Sequence, residues 1–188
     1  MKILHLGCGR KKHQGAIGVD VTTNSAADVV YDLNRGSWPF TENTLDKFYC
    51  IDIIEHVDDV IAFLNEIYRI GKAGAEVVIQ APFASSHFVS GDPTHKRGFT
   101  SKSFKYFDQN FDDTYFHYST ARFQTLEITY NKYEKWVWTY RPKLVDRILL
   151  GLANRHKDLY ERRFMWIYPV QTIYVRLKIM KNGTTAVV

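Results

Sequence analysis

Lys2-Ile3-Leu4-His5-Leu6-Gly7-Cys8-Gly9, followed after a short basic loop by Ala16-Ile17-Gly18-Val19-Asp20, is the stretch that decides the fold. Ile3, Leu4 and Leu6 form an apolar run ending in Gly7, and Ile17 to Val19 form a second ending in an acid, as two buried parallel strands do. Gly7 and Gly9 let the backbone turn sharply and approach a ligand closely, because a residue without a Cβ takes conformations barred to others. Asp20, at the carboxyl end of the second strand, is placed to accept both hydroxyls of an adenosine ribose, the position in which open α/β sheets bind nucleotides.

The glycine spacing separates two cofactors. A dinucleotide loop wants G-x-G-x-x-G, and the third glycine position is occupied by Lys12. The remaining pattern, Leu4-x-Leu6-Gly7-Cys8-Gly9 with Asp20 in Gly18-Val19-Asp20, resembles motif I and the acidic motif II of class I S-adenosylmethionine-dependent methyltransferases. Further along, Ile54-Glu55-His56-Val57, Glu66-Ile67-Tyr68-Arg69-Ile70 and Gly71-Lys72-Ala73-Gly74 resemble elements of the small-molecule branch of that family, so that the likeness extends over the cofactor half, residues 1–82. It implies a Rossmann-like α/β fold: a mostly parallel seven-stranded sheet with an antiparallel last strand and helices on both faces. It also implies S-adenosylmethionine as cofactor, held by Gly7, Cys8, Gly9, Asp20, Val21, Asp32, Leu33 and Asp52. One departure from the family is visible. Arg10 to Gly15 leaves room for little more than a single turn between the first two strands, so the first helix is reduced, and the open substrate side is left to other segments or to a second copy in a homodimer.

With 188 residues, the chain suits a single domain. Hydrophobic residues make up 45% and charged residues 24%, as in a water-soluble globular protein. Neither an apolar run of membrane-spanning length nor a basic leader region stands out, and Cys8 and Cys50 suit reduced thiols, so the expected location is cytoplasmic. The net charge of +5 permits an anionic partner, nucleic acid or lipid head group, without choosing one.

Alternation and helical spacing organise the rest. Asp28 to Asp32 and Phe48 to Ile54 read as the third and fourth strands, Val57 to Tyr68 as an amphipathic helix ended by Gly71, and Glu76 to Ala81 as the fifth strand. Asp32 either hydrogen-bonds an adenine amino group, as the resemblance implies, or caps the following turn. Trp38 or Phe40 packs on the adenine or on the core. Residues 83–100 form the active-site loop, with Thr100 or Ser101 capping a following helix. Tyr115 to Tyr118, Phe123 to Tyr130 and Gln171 to Ile179 read as strands, the final pair antiparallel. A helical insertion, residues 141–158, carries Leu144, Val145, Ile148, Leu149 and Leu152 on one face. Its expected place is against the sheet; the other reading is an element that touches a membrane surface or covers the substrate.

Methyl transfer to oxygen or nitrogen needs alignment of the acceptor and, for a hydroxyl, a base or a metal. His95 is the first candidate base, then His87, with His56 at the end of the fourth strand. Asp52, Glu55 and His56 resemble, with His95, the divalent-metal motif of some ubiquinone-pathway and small-RNA methyltransferases. Three functions follow: transfer to a small-molecule, sugar or lipid-linked acceptor; transfer to RNA or another nucleic acid, which the basic charge favours but the absence of an Asn/Asp-Pro-Pro-aromatic element disfavours; and a non-catalytic S-adenosylmethionine-binding protein.

Overall fold

The computed structural model describes residues 1–111, 119–132 and 143–181. Its strands are β1 (Ile3–Leu6), β2 (Ala16–Asp20), β3 (Val29–Val30), β4 (Leu45–Ile51), β5 (Gly71–Pro82), β6 (Phe123–Tyr130) and β7 (Thr172–Ile179). They form one seven-stranded sheet in the order β3-β2-β1-β4-β5-β7-β6. β1 to β5 are parallel, and β7 runs antiparallel to both β5 and β6. The order reverses beside β1, so the carboxyl ends of β1, β2 and β4 open a crevice there. The strand expected at Tyr115 to Tyr118 lies outside the described residues.

Helix α1 (Val60–Ile70) starts where Asp59 accepts hydrogen bonds from the backbone N–H groups of Ile61 and Ala62, and it buries Phe63, Leu64, Ile67 and Ile70. It ends at Gly71, as expected. Gly71 is extended, and β5 begins at it. A glycine is required because a Cβ there would lie 2.2 Å from Cδ1 of Ile179 on β7. Trp38 packs edge-on against Phe63 in the core, not on a ligand, and the Glu66–Arg69 pair ties its backbone to α1.

The fourth strand stops three residues before the apolar run suggests. Asp52 takes φ +50, a left-handed conformation that breaks the ladder, so Ile53 and Ile54 belong to the loop that follows. The third strand is likewise reduced to two residues: the Asp28 carboxylate is drawn to the Gly18 N–H and to Lys12.

Helical cover on the two faces is unequal. The buried apolar residues of α1, of a 3-10 helix (Ser101–Phe107) and of α3 (Leu144–Arg155) and α4 (Lys157–Arg163) all join the main core, with Leu4, Leu6, Phe48, Cys50, Val77 and Ile79. On the opposite face Tyr49, Ile51, Val78 and Tyr174 form a small second cluster. Charged side chains roof it: Lys47 pairs with Glu76 at 3.1 Å, Glu76 with Arg176 at 3.0 Å and Glu127 with Lys132 at 2.7 Å, their stems shielding the apolar rings. Between β1 and β2 the chain makes turns only, so the reduced first helix is absent altogether.

The 141–158 insertion meets the sheet, as expected, at β6, but not by its apolar face. Pro142 lies outside the described residues, but α3 turns Leu144, Ile148 and Leu152 outward, each more than half exposed at 71%, 58% and 54%. The helix meets the body through Ala153, Leu150 and Asn154 instead. The Asn154 side chain accepts from the Tyr130 N–H at 2.7 Å and donates to the carbonyls of Tyr130 and Leu150, and this polar anchor fixes which side faces in.

Candidate active site

The Gly7 loop is held open by the sheet on either side of it. Gly7 has φ +63, and a Cβ on it would lie 2.5 Å from the Ile53 side chain, so only glycine leaves the cradle intact. The Cys8 N–H bonds the Val19 carbonyl at 3.1 Å. The Asp20 carboxylate accepts from the Gly9 N–H at 2.8 Å and the Thr22 N–H at 3.1 Å. It thereby fixes the loops after β1 and β2 to each other and keeps further lone pairs for a ligand.

A cavity of about 300 Å³ opens at this point, lined by Gly7, Asp20, Val21, Tyr31, Asp32, Leu33, Asn34, Ile53, His56 and Val57. Five of the eight sequence-identified cofactor residues therefore share one wall. Cys8 and Asp52 face an adjoining cavity of about 250 Å³ with Gly7, His5, Arg10, Lys11 and Ile51. Gly9 lines neither; its part is the bond to Asp20. His5 is kept neutral, its pKa lowered to about 4 by burial and by neighbouring His13 against the pull of Asp20. Asp32 caps its own turn, its carboxylate accepting from the Asn34 N–H at 3.0 Å, and it also lines the larger cavity. No helix starts behind the glycine loop, and Lys12 is committed to Asp28 at 2.6 Å. The helix amino terminus that seats a dinucleotide's pyrophosphate is missing.

On the other side of Asp52 lies a third cavity, about 520 Å³, lined by Asp52, Glu55, Gln80, Pro82, His87, Phe88, Gly91, Asp92, His95 and Thr172. The 83–100 loop is folded onto the backbone of the residues after β4: the Lys96 N–H donates to the Glu55 carbonyl at 2.9 Å, and the Arg97 guanidinium donates to the carbonyls of Val57 and Asp58. This docking brings together side chains forty positions apart. His95 Nδ1 lies 2.7 Å from the Phe88 carbonyl, which can only accept, so Nδ1 carries the proton and Nε2 presents its lone pair. Nε2 stands 3.9 Å from both Glu55 and Asp92. His56 packs edge-on to His95, and its Nδ1 lies 3.1 Å from the Thr94 hydroxyl, which itself donates to Asp92 at 2.6 Å.

Glu55 is fully buried, and neither carboxyl oxygen has a hydrogen-bond partner. Burial, reinforced by the negative charges of Asp52 and Asp92, pushes its pKa up to about 8, so it is mainly a neutral acid at pH 7. Burial also raises Asp52, against the opposing effects of its Gln80 hydrogen bond and of His95. His56 is lowered by burial and by His95. Ligand atoms of Glu55, His56 and His95 come within 4.8 Å of one another. Asp52, expected with them, stands apart and engages Gln80 at 3.2 Å. His87 reaches the cavity rim from α2 (His87–Gly91) and is exposed. Gln80 and Thr172 were not anticipated from the sequence; their signal is a polar residue at the carboxyl end of one apolar strand and at the start of another.

A family model described as a methyltransferase domain matches residues 4–79, a span that includes the glycine loop, Asp20 and the Glu55-His56 pair and ends before the 83–100 loop. The chain is 34% identical over 59 residues to cycloartenol-C-24-methyltransferase 1 of Oryza sativa subsp. japonica, a match taking in 31% of this chain and 17% of that protein, so it spans less than a fifth of that relative. Among solved structures, a SAM-dependent methyltransferase from Archaeoglobus fulgidus superposes with a TM-score of 0.57 at 19% identity, over 94% of this chain and 85% of that one. The YcgJ protein of Bacillus subtilis superposes with a TM-score of 0.59 at 16% identity, over 97% of this chain and 92% of that one. Among the described residues, no helix is long and apolar enough to cross a membrane.

Proposed function

We propose that the chain is a class I S-adenosylmethionine-dependent methyltransferase, a reading supported by its fold and by the methyltransferase-domain match over residues 4–79, and that it methylates an oxygen or nitrogen of a polar acceptor, a sugar or the polar head of a lipid-linked molecule. One observation carries the choice of acceptor. Glu55, Gln80 and Thr172 are buried, each has a side-chain oxygen without a hydrogen-bond partner, and all three line the same cavity as His95. Orphaned buried polar atoms are costly, and a ligand rich in hydroxyl or amino groups satisfies them.

S-adenosylmethionine supplies an electrophilic methyl group when bound. Asp20 fits its ribose hydroxyls, the Gly7 cradle gives close backbone approach, and Asp32 and Asn34 face the same cavity. Arg10 and Lys11, lining the adjoining cavity, suit its carboxylate. The acceptor lies on the far side of Asp52, where Glu55, as a neutral acid, donates a hydrogen bond and His95 Nε2 takes the proton that leaves the attacking hydroxyl. His95→Gln is expected to lower kcat by about a hundredfold or more, with affinity for S-adenosylhomocysteine held within about twofold. Radiolabelled methyl transfer to a panel of sugars and lipid-linked sugars measures it, and a variant that turns over like wild type removes the base.

A divalent-metal reading is favoured by the grouping of Glu55, His56 and His95. Such an ion would orient the acceptor and acidify its hydroxyl, but Glu55 would have to give up the proton that burial retains before it could bind the ion. Turnover is expected to survive EDTA; loss on chelation with recovery on added Mg²⁺ or Mn²⁺ assigns these three residues to the metal instead.

A further inference from the structure

The outward apolar face of α3 continues into α4 and the turn behind it. Leu149, Leu152, Leu159, Phe164 and Ile167 enclose a groove of about 480 Å³, and Trp166 and Ile167 at its edge are 75% and 77% exposed. At about 100° per residue, Leu144, Ile148, Leu152, Val145 and Leu149 fill an arc of about 140° on α3, while Leu150 and Ala153 lie on the side that meets the body. A face this apolar on a well-anchored helix is not a packing remnant.

The surrounding charges indicate what covers it. Each acid of this region is engaged: Asp146 by the Tyr168 hydroxyl, Asp158 by Lys102 and Arg162, and Glu161 by the Ser101 N–H and the Tyr130 hydroxyl. Lys143, Arg147, Arg155 and Arg163 are exposed and make no ion pair among the described residues. A second copy in a two-fold contact would set these cations against themselves. Anionic head groups would neutralise them while the leucines, Phe164 and Trp166 enter the boundary with the acyl chains. α3 has 12 residues and α4 has 7, too short to span a bilayer but sufficient to lie in its surface.

We infer that α3, α4 and the 164–167 turn dock the protein in plane on an anionic bilayer. The surface adjoins the 83–100 loop: Tyr160 of α4 packs on Phe83 with ring centres 5.9 Å apart, and the Ser101 N–H bonds Glu161 at 2.6 Å. Docking thus narrows the acceptor, on the reading above, to a molecule presented at a membrane; the docking itself stands independently of that reading.

Co-sedimentation of the full chain with phosphatidylcholine vesicles, with and without about a third phosphatidylglycerol, tests it. Binding is expected only with the anionic lipid and is expected to weaken as salt is raised. Ile148→Asp and Ile167→Asp, both at exposed positions, are each expected to lower vesicle partitioning about tenfold or more. Arg147→Glu is expected to lower partitioning onto the anionic vesicles by reversing one of the four charges that attract them. S-adenosylhomocysteine binding by the same variants reports that the fold is intact and that the cofactor reading is unaffected. No vesicle binding by the wild type, or equal binding to neutral vesicles, overturns the proposal. So does a concentration-dependent dimer that Ile148→Asp dissociates, which would give the face to a second copy.

Discussion

Glu55→Gln is expected to make the protein more stable at pH 7 by about 3 kcal/mol, roughly 6–12 °C in melting temperature. The carboxyl is buried without hydrogen-bond partners, and burial lifts its folded pKa to about 8 from the ordinary value of 4.5. A raised folded pKa means that the native state holds the proton more tightly than the unfolded state. The associated stability is complete below pH 4.5 and declines as the pH rises towards 8, where the native carboxyl also ionises. Glutamine has the same shape without this liability, so the gap between variant and wild type should be small near pH 4 and widen to pH 8. Thermal melts across that range measure it. A variant equal to or less stable than wild type at pH 7, with no widening, would mean an ionised, compensated Glu55 and would strengthen the metal reading. Turnover of the same variant should persist in part, because the glutamine amide still donates a hydrogen bond into the acceptor cavity.

The second large effect concerns Asp20. Each hydrogen bond from a ribose hydroxyl to an ionised carboxylate is worth about 1.5–3 kcal/mol, and two of them together correspond to a hundredfold or more in affinity, on the order of 3 kcal/mol at least. Asp20→Ala also releases the Gly9 and Thr22 N–H groups, loosening both loops of the cavity. Asp20→Asn separates the two effects: its oxygen can retain one loop bond, while its amide turns a donor towards a donor. Both variants should lose S-adenosylhomocysteine binding by at least about a hundredfold, with Asn preserving more of the melting temperature than Ala.

How much of this the sequence carried depends on how local the cause was. β1, β2 and the loop between them are legible because strand, glycine turn and terminal acid are encoded within twenty residues, and the bounds of β6, Phe123–Tyr130, agree with the alternation alone. β4 was read too long because Ile51 to Ile54 stays apolar through Asp52. Aspartate tolerates the left-handed turn found at Asp52, and the bond from Gln80, 28 positions away, holds its carboxylate there. The grouping of His95 with Glu55 and His56 depends on Lys96 and Arg97 bonding the post-β4 loop, a contact across forty positions that no pattern within either segment announces. For α3, periodicity identified an apolar face but had no means of deciding which side would meet the protein; Asn154, bonded to β6, decided that. Gln80 and Thr172 show the same limit from another direction, since a buried polar residue in a strand is only a hint until the cavity it faces is seen.

On this reading the crevice between β1, β2 and β4 holds S-adenosylmethionine and no dinucleotide. Calorimetric titration of the purified wild-type chain with S-adenosylhomocysteine and, separately, with NAD tests it most directly. The predicted result is one-to-one binding of S-adenosylhomocysteine with a dissociation constant in the micromolar range, about −8 kcal/mol, and no heat with NAD. Silence with S-adenosylhomocysteine, or binding of NAD in its place, would contradict it.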